Sequence, residues 1–91
     1  MDYSKLTDKL LEHDPKRSEP FKQGMAAVLQ NRVDETPVAS PYAAGSVEED
    51  AFFAGRTRAS NEFRNLLVEA NGDRAVAIAR MRTLAEVRRA A

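Results

Sequence analysis

The chain contains no cysteine and no tryptophan, and only one histidine and four prolines, in 91 residues. Without cysteine, neither a disulfide framework nor a thiolate zinc site can compensate for a small core, so stability has to come from packing and from partners. The lone His13 sits between Glu12 and Asp14 at the expected end of a helix. A zinc site needs three or four converging ligands, and none stand at recognisable spacing, so His13 reads as a helix-end residue favoured by the dipole. No apolar run approaches the length of a membrane span, and MDYSKLTDKLLEHD lacks the basic start and continuous apolar stretch of a signal peptide. A soluble, cytoplasmic protein is expected.

Chemistry is also missing. No glycine-rich phosphate loop follows a strand pattern, and no serine, histidine and acid set can be assembled. Glu48, Glu49 and Asp50 stand in the expected first turn of a helix, where capping and the dipole account for them, and consecutive residues point in different directions. No catalytic residue, metal ligand or cofactor is assigned, and the chain reads as a non-enzyme.

Fourteen basic and fourteen acidic side chains cancel, but unevenly along the chain. Residues 1–55 carry six basic and ten acidic groups, whereas residues 56–91 carry eight arginines and four acids. Mutual neutralisation of the two halves, within one chain or head-to-tail between two, is preferred over an arginine face kept for RNA or an acidic partner.

Hydrophobic spacing gives a single all-α domain over residues 1–91, a small bundle of three to four helices. Tyr3, Leu6, Leu10 and Leu11 mark a helix over residues 2–13, stopped at Asp14-Pro15. Ser18 as N-cap and Pro20 in the first turn open a second helix to Val33, with Phe21, Met25, Val28, Leu29 and Val33 on one face. Gly24 inside it marks either a close helix approach or a late helix start. The connector 34–45 holds two prolines and a glycine, and Val38, Pro41 and Tyr42 are expected to pack it.

Ser46 and Glu49 form an expected capping box for a long third helix carrying Phe52, Phe53, Ala59, Phe63, Leu66, Leu67 and Ala70, closed at Asn71-Gly72. Asp73 caps a fourth helix to about Arg89, with Ala77, Met81, Leu84 and Val87 or Arg88 inward. The centre is thus a helix-connector-helix unit, helix two antiparallel on helix three, with a C-terminal hairpin or extension. Whether the fourth helix folds back or is exchanged with a dimer partner is left open. No internal repeat is visible. Adjacent Phe52 and Phe53 cannot face the same way, so one is an expected interface anchor. Candidate partner-binding residues are Tyr42, Phe53, Arg56, Arg58 and Arg64.

Residues 21–62 resemble the ribosome modulation factor family and its phage and mobile-element relatives. The likeness lies in a helix with an internal glycine, FKQGMAAV, a connector containing Pro41-Tyr42, and a helix with aromatics followed by Gly-Arg, DAFFAGRTRA. It implies two helices that dock on small-subunit ribosomal RNA, with Gly24, Pro41, Tyr42, Phe52, Phe53, Gly55 and Arg56 at the motif positions. The chain departs from the family in having phenylalanine for tryptophan, a longer interval from Gly24 to Pro41, no cysteine before Pro-Tyr, additional helices at both ends and no net basic charge. Since phosphate binding draws on lysine and arginine, a neutral chain has less of that driving force. The expected function is a small binding protein that regulates or inhibits a macromolecular partner, of phage or mobile-element type, with a ribosome- or RNA-binding modulator as the alternative. A protein partner is expected, RNA or the ribosome is the second candidate, and a homodimer is a further expectation for so small a core.

Overall fold

A computed structural model describes residues 1–86. It contains four helices and, among those residues, no strand: α1 (Tyr3–Leu10), α2 (Glu19–Asp34), α3 (Val47–Glu69) and α4 (Arg74–Glu86). The expected last turn of the fourth helix, with Val87, Arg88 and Arg89, lies outside the described residues.

Each helix start has a side-chain cap. Asp2 accepts from the Lys5 amide at 3.0 Å, Ser18 from Phe21 at 3.4 Å, Ser46 from Glu49 at 3.1 Å and Asp73 from Val76 at 3.1 Å. These satisfy amides that have no intrahelical acceptor. The capping box at Ser46 differs from expectation in its second half. The Glu49 carboxylate accepts from the Gly45 amide at 3.1 Å, one residue before the serine, whose own amide donates to Ala43 at 3.1 Å in the preceding turn. Helix α1 is shorter than expected because the chain turns at Leu11, whose amide donates to Thr7, before it reaches Pro15.

Helices α2 and α3 make the most extensive contact, with α1 packed on α2 and on α4, and α4 also on α3. The fourth helix therefore folds back within the chain. The core consists of Leu6 and Leu11, then Phe21, Met25, Val28 and Leu29 of α2, Ala59, Phe63 and Leu66 of α3, and Ala77, Met81 and Ala85 of α4. Leu6, Met25, Leu29 and Met81 are fully enclosed, each contributing roughly 1.5–3 kcal/mol. Ala85 takes the innermost position expected for Leu84, which is half-buried, and Thr7 joins the interior with its hydroxyl donating to the Tyr3 carbonyl at 2.8 Å.

Gly24 and Gly55 explain how α2 and α3 come so close. A Cβ on Gly24 would stand 2.0 Å from the Phe52 carbonyl oxygen, and one on Gly55 would stand 2.0 Å from that of Phe21. The contact is reciprocal, and it joins two copies of one local pattern, Phe21-x-x-Gly24 and Phe52-x-x-Gly55. Of the two expectations for Gly24, close approach is the one realised.

The C-terminus of α2 is a second joint. The Arg74 guanidinium of α4 donates to the carbonyls of Arg32 and Val33, placing a cation where the helix leaves its acceptors unpaired. Tyr3 of α1 donates to the Asp34 carboxylate at 3.4 Å. Burial, with that carboxylate beside it, raises the Tyr3 pKa, while the Thr36 hydroxyl, bonded at 2.6 Å, lowers that of Asp34.

Candidate functional site

The connector and the first half of α3 build an aromatic ledge. Phe52 is 2 % exposed and lies outside the main core cluster, with Tyr42 edge-on at 6.2 Å and Phe53 nearly perpendicular at 6.5 Å between ring centroids. Tyr42 is half-buried, and its hydroxyl donates to the Gln23 side chain on α2. Its amide donates to Ser40 Oγ at 3.2 Å, which holds the connector in a turn over the helix pair. Val38 is half-buried against the core, as expected, but Pro41 is exposed, because Tyr42 and not the proline ring covers Phe52.

Phe53 stands 46 % exposed beside this ledge. The Arg56 guanidinium lies 4.9 Å from its ring centroid, a cation-π geometry that limits the ring's freedom while leaving an apolar surface open to solvent. Tyr42, Phe53 and Arg56 are thus linked through Phe52. Gln23, which sequence spacing did not single out, orients the tyrosine from α2.

Arg58 has a different task. Two of its nitrogens reach the Asp14 carboxylate at 2.7 and 2.9 Å and its Nε reaches Glu62 at 2.9 Å, while Arg17 approaches Asp14 at 3.2 Å. The fork-to-fork bridge ties the α1–α2 link to the middle of α3. Hydrogen bonds from Arg58 hold the Asp14 pKa at about 2, and those from Asp14 and Glu62 raise that of Arg58. The guanidinium is thus engaged within the molecule by two carboxylates, with the side chain 27 % exposed.

Arg64 is exposed on α3, as are Arg80 and Arg82 on α4. Arg64 makes no ion pair or hydrogen bond among the described residues. Among the described residues Arg56 and Arg64 make no ion pair, whereas Arg58 is paired with Asp14 and Glu62 and Arg74 donates to carbonyls of α2. His13 is exposed and lies 3.4 Å from Glu12. Among the described residues no group of histidine, aspartate and glutamate converges as a metal site. A recess of about 190 Å³ between α1 and α2 is lined by Ser4, Asp8, Glu19, Lys22 and Gln23, with Lys22 and Asp8 paired at 3.5 Å. Its lining contains no histidine to act as a base for the serine. No described helix is long and apolar enough to cross a membrane.

Neither a protein-family model nor a curated protein nor a solved structure matches the chain.

Proposed function

We propose that this chain is a small cytoplasmic binding protein, not an enzyme, that regulates or inhibits a macromolecular partner through the surface formed by Tyr42, Phe53 and Arg56. The observation that carries this reading is the exposed Phe53 ring under the Arg56 guanidinium, mounted on a rigid helix. Phenylalanine and arginine are both enriched at protein interfaces, and here they are set side by side. A protein target is the first choice, because the chain is neutral overall and Phe53 offers apolar surface. Capture of a discrete partner by the tagged chain, lost on Phe53→Ala with helicity unchanged, is the expected result. Undiminished capture by that variant would remove this surface from the account.

A second reading is a ribosome- or RNA-binding modulator, in line with the resemblance to the ribosome modulation factor family. Arg56 and Arg64 favour it, since no carboxylate neutralises either one among the described residues. Binding of that type weakens steeply with salt, and removing the two arginines reduces the slope by about 2. Salt-insensitive binding would exclude it.

A further inference from the structure

The outward face of α3 has an order of its own. Val47, Asp50, Ala54, Thr57, Asn61, Arg64 and Val68 follow one another in steps of three and four, so they share one side of the helix, and all seven are exposed. The face ends in Val47, 80 % exposed, and Val68, 71 % exposed, which exceed every other exposed large apolar residue of the described chain. Between them lie two opposite charges, Asp50 and Arg64, whose side chains make no hydrogen bond or ion pair among the described residues. The centre, Ala54, Thr57 and Asn61, is small or uncharged.

The pattern is close to self-complementary about Thr57. Asp50 stands seven residues before it and Arg64 seven after, about 10 Å along the axis in each direction. Val47 and Val68 stand ten before and eleven after. A two-fold axis through Thr57, perpendicular to the helix, lays two copies of α3 antiparallel and sets each Asp50 against the other copy's Arg64 and each Val47 beside the other's Val68. A parallel arrangement in register would put Asp50 on Asp50 and Arg64 on Arg64. Charge placement therefore selects the antiparallel pair, and the small centre lets the two backbones approach. A surface that matches itself in this way is what an isologous dimer requires, whereas a different partner demands no such symmetry.

We propose that α3 docks on α3 of a second copy of the chain, antiparallel and centred on Thr57, with reciprocal Asp50–Arg64 pairs. Phe53 and Arg56 flank this face, and the inference does not depend on the partner reading above. One helix face supplies less than the roughly 1,600 Å² of a standard interface, which places the dimer among weak, reversible associations.

Sedimentation equilibrium of the full chain from about 1 µM to about 1 mM reads this directly. A reversible monomer–dimer equilibrium is expected. Asp50→Arg and Arg64→Asp should each weaken it about tenfold or more by facing like charges, and the double exchange should restore it. Both positions are exposed, but Asp50→Arg also sets a cation in the first turn of α3 against the helix dipole, so circular dichroism of each variant is read beside its association. Because the chain has no cysteine, Thr57→Cys adds a single thiol near the axis, and mild oxidation should join two such chains through one disulfide. A monomer throughout the concentration range would overturn the proposal. So would association untouched by either reversal or not restored by the double exchange, or a Thr57→Cys protein that dimerises without cross-linking. The same axis sets Phe53 opposite Asn61 of the second copy, so a dimer and a different partner compete for neighbouring surface, and Phe53→Ala tests the second without changing the Asp50–Arg64 pairs.

Discussion

Gly24 and Gly55 face each other across the α2–α3 crossing, each pressed against the carbonyl of the phenylalanine three residues before the other. Alanine at either position brings a methyl group to 2.0 Å from backbone oxygen, and the two helices have to part. Alanine gains roughly 1 kcal/mol of helix propensity over glycine, but overpacking against backbone outweighs it, and a net loss of about 2 kcal/mol is expected for each single variant. Urea unfolding followed by circular dichroism checks this. Gly45 is a control of another kind: nothing lies within 4 Å of its missing Cβ, and its φ of +79° makes alanine costly by backbone strain alone.

The adjacent phenylalanines are expected to separate folding from binding. Phe52→Ala empties a site that is 2 % exposed and costs about 3 kcal/mol or more, enough to threaten so small a fold. Phe53→Ala removes a half-exposed ring and leaves thermal unfolding within about 1 kcal/mol of the parent. Thermal melts of the two variants beside the parent give the comparison.

Acid should weaken the tie between the α1–α2 link and α3. The Asp14 pKa is held at about 2 by Arg58, below its ordinary 3.8, so the unfolded chain binds the proton first as pH falls. The contribution is complete above pH 3.8 and disappears as pH falls through about 2. Urea midpoints measured across that window should fall more steeply for the parent than for Asp14→Asn. Equal slopes would mean that the Asp14–Arg58 bridge adds nothing to stability.

Arg74 is expected to act as a C-terminal cap for a helix other than its own. Arg74→Gln removes the cation from the Arg32 and Val33 carbonyls and should cost about 0.5–1 kcal/mol, with faster hydrogen exchange in the last turn of α2. Exchange unchanged in that turn would contradict the capping role.

Much of this architecture follows from local rules. Ser18, Ser46 and Asp73 behave as caps because a short polar side chain ahead of an apolar period satisfies the nearest free amides whatever the tertiary context. The long-range features depend on which helix meets which. Gly55 has no reason to be a glycine until α2 is placed against α3, although the matched Phe-x-x-Gly tetrads were a signal available in advance. Arg58 looked like its neighbours Arg56 and Arg64, and only the approach of Asp14 from another element sets it apart. Arg74 falls within the expected first turn of the fourth helix, and nothing in its surroundings along the chain points to α2. The exposed ring was legible as a choice between Phe52 and Phe53. Burial of Phe52 under Tyr42 resolves it.

The most direct test of the binding reading is affinity capture of the tagged chain from cell lysate at low and high salt, with protein and RNA in the eluate both identified. The expected result is one discrete protein retained at high salt and lost with Phe53→Ala. Ribosomal RNA and small-subunit proteins released as salt rises, with capture indifferent to Phe53, would contradict it.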